Sequence, residues 1–155
     1  MGSEMCIRDR DNGHLWAIRH TSVVEIDRAG ILSATFSAMA DAVYSLADLL
    51  AQRHNIRISM VLIDGNLLPP LDVPCQAVIS GDSRSLSIAA ASVLAKVARD
   101  EVMRDLANTY PDYGWQTNAG YGTKSHQNAL QEFGVTPHHR KSFAPIKNRL
   151  KKESR

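Results

Sequence analysis

Residues 56–66 read "IRISMVLIDGN", and the fold depends on how this run is taken. From Met60 to Ile63 every residue is apolar, which suits a strand over 56–64 covered on both faces by helices. The run then stops on a carboxylate, Asp64, followed at once by Gly65. Asp-Gly is a common turn pair, so a strand ending in a turn is one reading. The other is a catalytic carboxylate at the end of a rigid strand, the edge at which open α/β sheets place their ligands.

Outward from this run, β-like and helical patterns alternate. "LWAIRHTSVVEI" (15–26) is rich in β-branched and aromatic residues and reads as a strand. From Asp27 the period changes, because Leu32, Phe36, Met39, Val43, Leu46 and Leu50 fall on one helical face. Asp27 can cap that helix and "QRHN" ends it. "LLPPLDVP" reads as a loop and "CQAVI" as a short third strand. "SLSIAAASVLAKVARDEVMRDLANTY" (85–110) has no Gly or Pro and predicts one long helix. "KSHQNALQEFG" predicts a short helix stopped by Gly134. Thr136 and Pro137 then offer an N-cap and first residue for a last helix. The expected class is an α/β sandwich in a single domain without repeats.

The chain has 155 residues, 44% hydrophobic and 22% charged, as one globular domain would. No apolar stretch approaches the ~20 residues that span a membrane, and the first fifteen residues hold no secretory signal. Two cysteines, Cys6 and Cys75, make no disulfide framework, so a reducing cytoplasm is expected. The net charge of +2 hides an asymmetry. Residues 124–155 carry eight Lys or Arg against Glu132 and Glu153, a local +6 that leaves −4 for residues 1–123. A basic end on an acidic body suits a polyanionic partner; a solvated tail is the alternative for 149–155.

A second carboxylate, Asp100, lies inside the long helix. Its residue type alone leaves open an exposed pair with Lys96, four positions earlier. The wording around it is more specific. "LIDGN", "GDSRSLSIAAASVLAKVARD", "YPDYGW", "GYGT" and "HHRKSFAP", in this order, resemble ribonuclease HII, the type 2 ribonuclease H of bacteria, over roughly residues 15–148. The resemblance implies a ribonuclease H-like fold, a mixed sheet flanked by helices. It implies an endonuclease that cuts the RNA strand of RNA–DNA hybrids and nicks DNA 5′ of an embedded ribonucleotide, leaving 3′-hydroxyl and 5′-phosphate ends. It implies Mg²⁺ or Mn²⁺ held by four carboxylates, with Asp64 and Asp100 as two of them, catalytic and metal-binding. Paired hard cations ~3.5–4 Å apart suit phosphodiester hydrolysis, and carboxylates suit such cations.

The chain departs from the family's pattern upstream. The family opens with a strand bearing a "DEAGRG" motif that supplies the other two carboxylates, and none of Glu4, Asp9, Asp11, Glu25 or Asp27 has that context. The expectation is therefore a fold whose first strands are missing: residues 1–13 a leader foreign to the family, 14–148 a partial family domain and 149–155 a basic tail. Weak activity and an exposed sheet edge would follow.

Tyr121 of "GYGT" matches the family's tyrosine that packs on the sugar at the RNA–DNA junction; an ordinary loop anchor is the alternative. Arg140 resembles a family residue near the duplex, with packing of "HHRKSF" as the alternative. Tyr121, Arg140 and Lys124 are the expected substrate-binding residues. At Ser80 and Ala119 the family often has lysine, which puts two phosphate contacts in doubt. Adjacent His138 and His139 lack a further ligand at suitable spacing for zinc. Ser85, Ser87 and Ser92 sit in no Gly-x-Ser-x-Gly elbow. The expected partner is an RNA–DNA hybrid, or a DNA duplex with an embedded ribonucleotide, met by a monomer in the cytoplasm and away from membranes. A non-catalytic nucleic-acid-binding remnant is the competing reading.

Overall fold

The computed structural model describes residues 5–9 and 15–153, with the side chains of 5–9, 152 and 153 left aside. The architecture is α/β, and the chain divides into two compact units, Met1–Val93 and Leu94–Arg155.

In the first unit β1 (Met5–Asp9) pairs antiparallel with β2 (Leu15–Arg19). The strand read over 15–26 therefore ends seven residues early, because Val23–Ala29 forms helix α1. Two β-branched residues at its start favour a strand, but a capping box overrides them. Ser22 Oγ accepts from the Glu25 N–H at 3.2 Å, and Glu25 Oε2 accepts from the Ser22 N–H at 2.9 Å. Asp27 thus lies inside a helix rather than capping one. Gly30, at φ +83°, separates α1 from α2 (Ile31–His54). Asn55 closes α2 in the left-handed conformation, as Asn tolerates.

β3 covers only Val61–Asp64 and pairs in parallel with β4 (Cys75–Val78), Asp64 opposite Val78. Residues 56–60 carry no strand. Nor is β3 covered on both faces: Ile63 is buried, but Leu62 is 40% exposed. A short loop and a 3₁₀ turn at Gly81–Ser83 lead from β4 into α3 (Leu86–Thr109), the long helix read from the sequence.

The second unit begins within α3 and adds α4 (Trp115–Asn118), α5 (Lys124–Phe133) and α6 (Ala144–Glu153). Its core is Ala107, Tyr113, Trp115 and Ala129, with Met103, Leu106, Tyr110 and Leu130 packed around them. Trp115 is only 2% exposed. α5 ends at Gly134, φ +82°, where the sequence places its stop. Thr136 does not start a helix. Its hydroxyl accepts from the His138 N–H at 3.2 Å and meets His139 Nδ1 at 2.8 Å, closing a turn instead. The last helix begins at Ala144 and carries Lys147, Arg149, Lys151 and Lys152, so the expected tail from 149 is helical to Glu153. Among the described residues, no helix is long and apolar enough to cross a membrane.

Candidate active site

Asp64 lies at the last position of β3, where Gly65 takes a backbone (φ +103°) that side-chain-bearing residues rarely adopt. The turn and the placed carboxylate are therefore one feature. Asp64 Oδ1 accepts the Gly81 N–H at 2.8 Å, which fixes the direction of an otherwise exposed side chain. Gly81 has no room for more than hydrogen. A Cβ there would stand 2.6 Å from Ile88 Cδ1 and 3.2 Å from Asp64 Oδ1. The preceding Ser80 is left-handed at φ +52°, a conformation that costs a non-glycine residue energy and turns the Gly81 amide toward the carboxylate.

Asp100 belongs to the second unit. Its Oδ2 accepts from Lys96 Nζ, one turn earlier, so the helix pair weighed in the sequence is present. That hydrogen bond, reinforced by the charges of Lys96, Arg99 and Arg104, holds the carboxyl below its ordinary range against a smaller opposing effect of burial. Asp100 Oδ1 is different. It is shut off from solvent and accepts no hydrogen bond, with Arg99 Nη1 3.8 Å away. A lone-pair site removed from water without a donor is costly, and a cation ligated there would offset the cost. As donors, Asp64 and Asp100 suit a hard divalent cation such as Mg²⁺ or Mn²⁺. Among the described residues, no three His, Cys, Asp or Glu side chains gather closely enough to hold one.

Tyr121 is 58% exposed, with the Arg99 guanidinium 5.0 Å over its ring centroid. Arg99 thus links Asp100, its neighbour on α3, to Tyr121. Gly120 before it has φ +75° and Ala119 φ +44°, so the chain reverses tightly as it leaves α4. Ser80 and Ala119, where the resemblance led to an expectation of lysine, are both left-handed. Lys124 is exposed at the first position of α5, after Thr123, whose hydroxyl accepts the His126 N–H at 3.3 Å. The Arg140 guanidinium carbon lies 4.9 Å over the centroid of the Phe143 ring, a cation–π contact.

The model of the family described as Ribonuclease HII matches residues 11–146. The chain belongs to the ribonuclease HII family. It is 53% identical over 139 residues to "Ribonuclease HII" of Paracoccus denitrificans, covering 89% of this chain and 62% of that protein. It is 51% identical over 140 residues to the protein of the same name in Rhodospirillum rubrum, covering 90% and 61%. A Ruegeria protein, also named "Ribonuclease HII", is 51% identical over 139 residues, covering 89% and 57%. The chain thus spans about three-fifths of the length of these ribonuclease HII relatives.

Against this family background, the second unit holds a histidine pair that the sequence reading did not find. His126 Nε2 and His139 Nε2 are 3.1 Å apart, both rings buried beside Trp115 and Tyr113. Burial, and then the neighbouring His126, push the His139 pKa down to about 4. His139 Nδ1 accepts the Thr136 N–H at 3.1 Å. Its own proton therefore sits on Nε2 and points to His126. A signal was available in the sequence. His126, Ala129, Leu130 and Phe133 follow i, i+3, i+4, i+7 spacing, which places His126 on the inward face of α5. His138, by contrast, is exposed and meets Tyr110 edge-on at 5.4 Å. Ser92, one of the serines set aside above, donates to the Ala89 carbonyl at 2.8 Å within α3.

Proposed function

We infer that this chain carries the site of a type 2 ribonuclease H. The reaction is hydrolysis of the RNA strand of RNA–DNA hybrids, and nicking of DNA on the 5′ side of an embedded ribonucleotide. The observation that carries the reading is the ribonuclease HII match over residues 11–146, a span within which Asp64 and Asp100 fall. Asp64 and Asp100 are proposed as two ligands of Mg²⁺ or Mn²⁺. A divalent cation bound by either carboxylate would polarise the phosphodiester and lower the pKa of an attacking water. The chain's own contribution is placement. Gly81 fixes Asp64 through one oxygen. Lys96 holds one oxygen of Asp100 and leaves the other without a hydrogen bond. Tyr121 offers an exposed aromatic face to a sugar, and Lys124 and Arg140 offer cations to phosphates.

The test uses a DNA duplex containing one ribonucleotide, with Mg²⁺ or Mn²⁺. Weak metal-dependent nicking 5′ of the ribonucleotide is expected, and Asp64→Asn should lower it by at least about 100-fold, since even outer-shell metal partners are worth 10–100-fold. Cleavage indifferent to both Asp64→Asn and Asp100→Asn would sink the assignment. The basic helix α6 favours a second reading, a duplex-binding chain that does not cut. Salt-sensitive binding without nicking would select it.

A further inference from the structure

We propose that His126 is a positioning residue for substrate discrimination, held by His139 and Thr136 in the one tautomer that anchors the Tyr121 backbone. The proposal rests on the reading of Tyr121 as the sugar contact and adds to it how the loop carrying Tyr121 is kept in place.

The hydrogen bonds run in one direction. The Thr136 N–H donates to His139 Nδ1 at 3.1 Å, leaving the His139 proton on Nε2. That Nε2–H faces His126 Nε2 at 3.1 Å, and Trp115 Nε1–H approaches the same nitrogen at 3.4 Å. Two donors aimed at His126 Nε2 make it the acceptor and leave the proton on Nδ1. Nδ1–H then donates to the Tyr121 carbonyl at 3.0 Å. The rest of the loop is tied as firmly. The Thr123 N–H also donates to the Tyr121 carbonyl, and the Tyr121 N–H to the Asn118 carbonyl, each at 2.8 Å. Asn118 is buried, accepts the Gly120 N–H at 2.8 Å and donates to the Tyr113 carbonyl at 2.8 Å. An exposed ring is thereby mounted on a backbone anchored to the core. Such a ring meets a sugar with little ordering left to do, which is how preorganisation sharpens recognition.

Substitutions at His126 separate anchoring from mere space filling. Asparagine carries an N–H at the position of Nδ1 and keeps the bond to Tyr121; glutamine carries its polar end at Nε2 and loses it. The measurement is affinity, with divalent cations chelated, of the 155-residue chain for two DNA duplexes differing by one ribonucleotide. Wild type should prefer the ribonucleotide duplex, and Tyr121→Ala should erase the preference. His126→Gln should reduce the preference about 5-fold, the fold-change of one neutral hydrogen bond. His126→Asn should retain it. Wild-type preference undiminished by His126→Gln, or lost equally in His126→Asn, overturns the positioning role alone. Absence of preference in wild type, or its survival in Tyr121→Ala, overturns the Tyr121 reading and the role built on it. If either His126 variant fails to fold, long-range ¹⁵N spectra of wild type decide. They should show the Nδ1–H form at His126 and the Nε2–H form at His139, and the opposite tautomer at either ring overturns the proposal.

Discussion

In Met1–Val93 the buried hydrophobic side chains are Ala34, Leu49, Ile63 and Ile88; every buried polar side chain among the described residues, Asn118, His126, Thr136 and His139, lies in Leu94–Arg155. The two halves also hold their aspartates differently. Asp64 is fixed by a single backbone amide in a place where only glycine fits. Asp100 is held by a flexible lysine and leaves one shielded oxygen without a donor. Aliphatic burial tolerates small changes of shape, whereas buried polar groups must all be satisfied at once or each becomes a cost. The second half should therefore be the more sensitive to single substitutions and to acid, and the first the more sensitive to backbone geometry.

The largest effect should come from the indole at the centre of the second half. Trp115→Ala is expected to destabilise the chain by about 3–5 kcal/mol, measured by chemical denaturation. A loss under about 1 kcal/mol would erase the contrast between the halves.

Acid should act on the same half. Unfolded His139 takes up its proton near pH 6.5 and folded His139 near pH 4, so between these values the unfolded state binds more protons. Stability is then full above pH 6.5 and falls as pH drops toward 4, by roughly 2–3 kcal/mol from this group. Denaturation midpoints taken across that window should slope downward with falling pH, and His139→Gln should flatten the slope. An unchanged slope would mean that other groups govern acid sensitivity.

For the first half, Gly81→Ala forces a Cβ against Ile88 and the Asp64 carboxylate and should cost about 1–3 kcal/mol. Ile88→Val removes the Cδ1 that blocks the methyl, so the double variant should recover part of the loss. Additive losses would show that crowding is not the cause. The smallest effect is local. Ser22→Ala removes the side-chain half of the capping box and should cost about 1 kcal/mol, with helicity lost in α1 by amide exchange.

Much of this was legible in the chain. An uninterrupted Ala/Ser-rich run gives α3, Gly134 marks the end of α5, and the apolar run before Asp64 gives β3. The failures have one kind of cause, a polar side chain competing for the backbone. Val23 and Val24 look like strand until Ser22 and Glu25 are seen to satisfy each other's amides. Thr136 looks like an N-cap until its hydroxyl is seen to serve His139. Motif wording singled out Asp64, Asp100 and Tyr121, yet not the groups that hold Asp64 and Tyr121. Gly81, Arg99 and His126 act through contacts 17, 22 and 5 residues away, to Asp64, Tyr121 and Tyr121 respectively. Spacing along the chain carries no trace of the first two.

The indole N–H of Trp115 also has an optical consequence. The chain contains two tryptophans, Trp16 in β2 and Trp115 in the second half. Trp115 lies near three imidazoles, those of His126, His138 and His139, and a protonated imidazole withdraws electrons from an excited indole. Replacing Trp16 with Phe would leave one emitter whose brightness reads the surroundings of these rings, with no external dye.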